Sequence, residues 1–430
     1  MILITYYFPP AGGPGVQRML KFAKYLPAFG WRVAVLTVRE DAAYPVRDPS
    51  LSSDVPPGTQ VVRTAITEFY RAYRKVGGTE APLEGSRKSA HESPIARILR
   101  GARATLFVPD GRIGWIPHAV TPGVRLARET RASALLSSGP PFTANLIGGL
   151  IARRTGLPWI QDLRDPWTRA PFYPDRPPLV RRLDEALEHW TLRQALRTVA
   201  VNREILEDFR ARYPDIPAER LVTVPNGFDE ADFEGVPRVR PEKLTLVHTG
   251  TVHAARDPQA LRAAIADLAR EEEGFLAGFE IVFAGRLDPE VVQCFREPPF
   301  DRLVRFAGYV EHRESLRLLR AADLCLLLIG DEPQTRGMLT GKLFEYLGSG
   351  TPILAIAPED GEAAEAIRRC RAGWVHEAGD AAGLRERLRG IWRGFRAGER
   401  RFAEPDPAEV SRFSRRNLAG RIAEILDSLV

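Results

Sequence analysis

Two rhythms of apolar and polar residues alternate along this chain. Short, almost continuously apolar runs at 1–5, 32–38, 132–137, 158–161, 198–201 and 221–224 read as strands. A second set follows at 244–248, 280–284, 304–307, 324–328, 353–356 and 373–375. Runs with so little alternation suit strands covered on both faces, as in parallel sheets. Between them lie segments with apolar residues three and four apart, which predict helices. In 16–29 the set is Met19, Leu20, Phe22, Ala23 and Leu26, and in 416–429 it is Leu418, Ile422, Ile425 and Leu426. Strand, helix, strand repeated in this way predicts an α/β protein with parallel sheets.

The rhythm breaks once and restarts. Pro225-Asn226-Gly227-Phe228-Asp229 reads as a turn, and the Pro-, Glu- and Arg-rich stretch 230–243 reads as a linker. At 430 residues the chain exceeds one ordinary core. Two Rossmann-like domains are therefore expected, over 1–232 and 240–412.

Three stretches carry candidate chemistry. In 338–356 a short helix begins at Thr340-Gly341-Lys342, with Leu343, Phe344 and Leu347 on one side, and Gly348 and Gly350 are expected to end it. An open helix start suits a phosphate. Lys342 adds a full charge there, and Glu345 one turn on can accept hydrogen bonds from a diol. On spacing alone, Lys342 and Glu345 read equally well as a surface ion pair. Only six of the 61 basic residues are lysine, which leans toward a site that needs a compact charge.

Strand 1–5 runs into a loop containing Gly12-Gly13-Pro14-Gly15, where missing Cβ atoms let a ligand approach the backbone. A tight strand-to-helix turn accounts for the same glycines. Strand 158–161 is followed by Asp162-Leu163-Arg164-Asp165-Pro166-Trp167. Polar residues just past a buried strand occupy the ligand-binding edge of an open α/β sheet. Asp162 and Asp165, flanking Arg164, are candidates to orient an acceptor hydroxyl and take its proton. The alternative is a salt-bridged loop with Trp167 as a packing anchor.

Composition narrows the classes. Hydrophobic content of 44% and charged content of 27% are those of a globular protein, and no apolar run reaches membrane-spanning length. The start of the chain has no signal-peptide pattern, and Cys294, Cys325 and Cys370 lie outside any metal-ligand spacing, which together suggest a cytoplasmic protein. The net charge of +6 accompanies basic residues dispersed among acids, without a nucleic-acid motif. The basic segment 68–103, with Tyr70, Tyr73, Ile95, Ile98 and Leu99 interleaved, reads either as a solvated insertion or as a surface that meets anionic membrane.

The stretch Glu345 to Pro352, with PNGFD at 225–229, SGPP at 138–141 and WIQDLRDPW at 159–167, resembles family 4 glycosyltransferases of the GT-B fold, most of all a bacterial subgroup of capsule and lipopolysaccharide enzymes. The resemblance spans most of the chain. It implies two Rossmann-like domains facing across a cleft, with 413–430 crossing back onto the first. It also implies an EC 2.4 hexosyltransferase that moves sugar from a nucleoside diphosphate sugar to a glycan or lipid-linked acceptor. The reaction would be retaining, with no metal and no cofactor, and would take place in the cytoplasm or at the inner face of the membrane.

In the same terms Gly13 and Gly15 would touch the transferred sugar or the acceptor. Gly341, Lys342 and Glu345 would hold the donor. Arg256 would fill a lysine slot after Gly250, while Thr251 replaces the family's arginine and Arg286 is the candidate substitute. The first of two family glutamates is replaced by Gly337, leaving Asp331 or Glu332 to take its part. Many relatives carry a histidine at the place of Asp162. Two rival readings are an epimerase or hydrolase on the same fold and a non-catalytic partner subunit.

Overall fold

The computed structural model describes residues 1–42, 44, 46–67, 105–170 and 173–430. The segment 68–103, with its membrane reading, lies outside the described residues. Contacts divide the chain into one unit of Met1–Pro225 with Leu418–Val430, and a second of Asn226–Asn417.

The first unit holds a seven-stranded parallel sheet. Its strands are β1 (Ile2–Thr5), β2 (Ala34–Val38), β3 (Gln60–Thr64), β4 (Leu135–Gly139), β5 (Trp159–Leu163), β6 (Arg197–Ala200) and β7 (Leu221–Thr223). Their order is β3-β2-β1-β4-β5-β6-β7. The central strands β1, β4 and β5 are buried along their whole length, as their unbroken apolar runs require. Strand β3 has no counterpart in the sequence reading. It sits at the sheet edge and is mostly half-buried, so the pattern of Gln60-Val61-Val62-Arg63-Thr64 is mixed. From Leu418 onward the helix Arg415–Asp427 belongs to this unit, burying Leu418, Ala419, Ile422, Ala423 and Leu426 in the main core.

The second unit holds a six-stranded parallel sheet. It comprises β8 (Leu244–Thr249), β9 (Phe279–Ala284), β10 (Val304–Gly308), β11 (Leu324–Leu328), β12 (Ile353–Ile356) and β13 (Gly373–His376), in the order β10-β9-β8-β11-β12-β13. The turn at Asn226–Asp229 falls inside this unit. The Phe228 N–H donates to the Phe413 carbonyl at 3.1 Å, and the Arg415 N–H donates to the Phe228 carbonyl at 2.7 Å. These bonds set the division at Pro225, several residues before the expected 232.

Strand order reverses beside β1 in one sheet and beside β8 in the other. Each reversal opens a crevice at the carboxyl ends of two neighbouring strands whose crossovers leave in opposite directions. The loops after β1 and β4, and after β8 and β11, are therefore where ligands are expected.

Candidate functional site

In the second unit, β8 ends at Thr249 and the chain turns through Gly250, whose φ is +94°. Facing this turn is the start of the helix Gly341–Ser349. Thr340 caps that helix, its side-chain oxygen accepting from the Leu343 N–H. Lys342 then reaches back across the turn. Its Nζ donates to the Thr251 carbonyl at 2.8 Å and lies 3.1 Å from His248 Nε2. Gly250 makes room for this side chain, because a Cβ there would lie 2.6 Å from Lys342 Cε.

His248 is fully buried, with Nδ1 2.8 Å from the Leu326 carbonyl. A carbonyl only accepts and an ammonium only donates. The imidazole is therefore neutral, with its proton on Nδ1 and its Nε2 lone pair facing Lys342. Burial, and then the Lys342 charge, push the His248 pKa down to about 3.

Burial also pushes Lys342 down to about 8, and the charge of Arg256 adds to the effect while Glu345 opposes it. Arg256 ends the short helical turn Ala254–Arg256, with Nη2 3.4 Å from Met338 Sδ. Two cations thus share the helix start. Such a pair is costly alone and favourable once an anion lies between them.

Glu345 is one helical turn further on and does not pair with Lys342 in a surface ion pair. Its Oε1 lies 3.3 Å from His312 Nε2, and a third of its side chain is exposed. His312 opens the helix His312–Ala321 after β10 and was not singled out by sequence reasoning. Nor was Tyr346, fully buried, whose Oη accepts from the Thr249 N–H at 3.1 Å and fixes the end of β8.

Other expectations in this unit need adjusting. Gly348 does not end the helix but packs within it: a Cβ there would lie 2.7 Å from the Phe228 ring. Gly350, at φ +68°, makes the stop. A Cβ on Gly341 meets nothing within 4 Å, so crowding does not demand a glycine there. Arg286 is exposed just after β9; its carbonyl accepts from the Val252 N–H at 3.0 Å, and its side chain makes no hydrogen bond or ion pair among the described residues. Asp331 and Glu332 lie in the loop after β11, on the same sheet edge.

In the first unit, Gly13 precedes the helix Pro14–Tyr25 with φ +88°, a conformation that glycine adopts without strain. A Cβ on Gly15 would lie 3.3 Å from the Tyr7 ring and 3.4 Å from Arg164 Nη1. Arg164 lies against this helix start, donating through one arm to the Gly15 carbonyl and through the other to the Pro140 carbonyl. It clamps the loop after β1 to the loop after β4.

Asp162 departs from expectation. Strand β5 continues through Leu163, so Asp162 is a strand residue, fully buried. Arg18 Nε donates to its two carboxylate oxygens at 3.0 and 3.1 Å, Arg18 Nη2 adds a bond at 2.7 Å, and Ser138 Oγ adds another at 2.7 Å. The rest of Arg18 donates to the carbonyls of Pro225 at 2.7 Å and Val224 at 2.8 Å. A carboxylate so enclosed does not reach a substrate hydroxyl. Asp162 is a positioning residue that ties β5 to the helix Pro14–Tyr25 and, through Arg18, to the chain beyond β7. Arg164, with both arms on backbone carbonyls, is likewise a positioning residue rather than a catalytic one. Arg18 was missed because a lone arginine in a helix carries no sign of a partner 144 positions away.

Asp165 is different. It is half-buried, and its carboxylate makes no hydrogen bond among the described residues. Burial raises its pKa above the usual carboxylate value, and Arg164 opposes the rise. Its carboxylate is thus not enclosed as that of Asp162 is. Trp167 is a packing anchor, stacked on Phe142 at 4.6 Å with its indole N–H on Asp184 Oδ1 at 2.9 Å.

Family models match both units. A glycosyl transferase 4-like domain covers residues 12–227, and a glycosyl transferases group 1 domain covers 243–393. Curated protein sequences offer no match. Solved structures match over the whole chain at low identity. A glycosyltransferase from Rickettsia africae ESF-5 is 12% identical, with a TM-score of 0.61, covering 100% of this chain and 98% of that one. HepE of Anabaena, in complex with UDP and glucose, is 16% identical, with a TM-score of 0.60 and coverage of 100% and 99%. The lipopolysaccharide outer core galactosyltransferase WaaB is 11% identical, with a TM-score of 0.56 and coverage of 100% of both chains. At these identities the structures establish a shared fold.

Proposed function

The chain belongs to the glycosyltransferase 4-like family with a GT-B fold, and from that premise we propose that it transfers a hexose from a nucleoside diphosphate sugar to a glycan or lipid-linked acceptor. The observation that carries this reading is the placement of Lys342. Its ammonium is held by Thr251 and His248 at a helix start, beside Arg256 and one turn from Glu345. Two cations and open helix N–H groups suit a diphosphate, and a part-exposed carboxylate suits the ribose diol. UDP bound to HepE, a structural neighbour, supports a uridine donor.

As the glycosidic bond to the donor breaks, negative charge collects on the departing diphosphate. Lys342, Arg256 and the N–H groups at the start of the helix Gly341–Ser349 neutralise it without a metal. Loss of one such donor typically costs about 3–4 kcal/mol of transition-state stabilisation. In the first unit Asp165 receives the proton of the acceptor hydroxyl, and Arg164 holds the helix start that carries Gly13 and Gly15. We assign a retaining outcome from the family resemblance, and a role in cell-surface polysaccharide or glycoconjugate synthesis at the inner face of the membrane. No described helix is long and apolar enough to cross a membrane.

The test is thermal stabilisation of the purified protein by a panel of nucleoside diphosphates and sugar nucleotides. The expected result is a shift for one base that Glu345→Ala and Lys342→Ala abolish while both variants stay folded. No shift with any nucleotide, or full turnover in both variants, would overturn the assignment.

A further inference from the structure

The second unit carries another basic site, at the amino edge of its sheet rather than the carboxyl edge that holds Lys342. There a cavity of about 290 Å³ is lined by Arg238, Arg240, Arg400 and Arg401, with Glu404 as the acid in the lining. Arg238 and Arg240 come from the segment before β8, Arg400 and Arg401 from the segment after the helix Ala381–Arg396.

The nearby carboxylate is already committed. Asp323, buried just before β11, accepts from Arg400 Nη1 at 3.2 and 3.3 Å and from the Thr245 N–H at 3.0 Å. Arg400 is further held by the Glu242 carbonyl, at 3.3 Å. Arg238, Arg240 and Arg401 have no ion pair or hydrogen bond among the described residues, and neither has Glu404. Arg320 adds a guanidinium behind Arg238, with Nη1 on the Phe233 carbonyl at 3.1 Å and a buried Nε that lacks a partner. The charges of Arg240 and Arg320, after burial, lower the Arg238 pKa.

Guanidinium groups gathered around one cavity repel each other unless an anion joins them. Their planar donor forks match phosphate oxygens two at a time. We propose that this cavity binds a phosphate-bearing group of at least two negative charges, held by Arg238, Arg240 and Arg401 with Arg400 fixed as the fourth contact. The site shares no residue with the donor site, so it stands or falls independently of the proposed transferase chemistry.

The test uses the full chain carrying Lys342→Ala, so that the other basic site does not compete. Pyrophosphate binding is measured by calorimetry at about 0.15 M salt, where weak surface pairing is screened. Co-sedimentation with phosphatidylglycerol vesicles, against phosphatidylcholine vesicles, is measured in parallel. Each is compared with the same protein carrying R238Q, R240Q and R401Q. A second triple variant, R238K, R240K and R401K, keeps the charge and loses the fork.

Saturable pyrophosphate binding, weakened about tenfold or more by the glutamines and less by the lysines, supports the site with a soluble phosphate ligand. Binding to anionic vesicles alone, lost with the glutamines, supports it with a lipid headgroup as the source. Equal behaviour of the parent and glutamine variants in both assays, or no binding by the parent in either, overturns the proposal.

Discussion

The Lys342 ammonium and the His248 imidazole meet at 3.1 Å, and the buried ring is the acceptor. The Leu326 carbonyl accepts a hydrogen bond from Nδ1–H, which leaves the Nε2 lone pair facing Lys342. Replacing His248 by leucine keeps most of the volume and removes that acceptor. The hydrogen bond to a charged donor is worth about 1.5–3 kcal/mol. The expected result is donor binding weakened by about tenfold or more, measured as Kd by calorimetry.

Lys342 makes donor binding pH-dependent. Its pKa falls from 10.5 to about 8 in the folded chain. Between those values the unfolded chain binds more protons than the folded one, so this group destabilises the fold below about 8 and the penalty lifts as pH rises toward 10.5. Ligand affinity runs the other way, because a diphosphate favours the charged form. Nucleotide binding is expected to weaken above about pH 8 and to take up protons there. Calorimetry in buffers of different ionisation enthalpy reads that uptake, and a binding curve flat from neutral pH to beyond the lysine's pKa would contradict it.

Gly250 is constrained twice, by its φ of +94° and by Lys342 Cε, 2.6 Å from where a Cβ would stand. Gly250→Ala is expected to lose about 1–3 kcal/mol of stability in a urea titration and to displace Lys342, with nucleotide binding lost alongside. A variant that binds as well as the parent would show that the lysine's seat is dispensable.

Asp162, within β5, and Asp165, just after it, should behave oppositely. Asp162→Ala strands the buried Arg18 and is expected to cost about 3–5 kcal/mol of stability. Asp165→Asn removes a carboxylate with no hydrogen bond to lose. Its expected effect is a fall in kcat of about a hundredfold or more, with the urea midpoint unchanged. Equal loss of stability in both, or full turnover in Asp165→Asn, would reverse the assignment of roles.

Much of the architecture follows from local pattern. Strands such as β11 and β12 show as unbroken apolar runs because both faces are covered, and the helix Glu362–Arg369 shows through its alternation of buried alanines and charged residues. The placement of Lys342 and Glu345 in the first two turns of one helix follows from sequence because those positions are close along the chain. Only tertiary structure decided what each charged group does. The sequence places Asp162 and Asp165 three residues apart with equal standing, but a helix that begins far upstream brings Arg18 onto one and leaves the other available. Likewise the fold of the second unit joins Lys342 to His248 and Glu345 to His312, pairs separated by 94 and 33 positions. Local periodicity reports which face is buried. Charge pairing depends on which elements the sheet order sets side by side, and that order is a property of the whole fold.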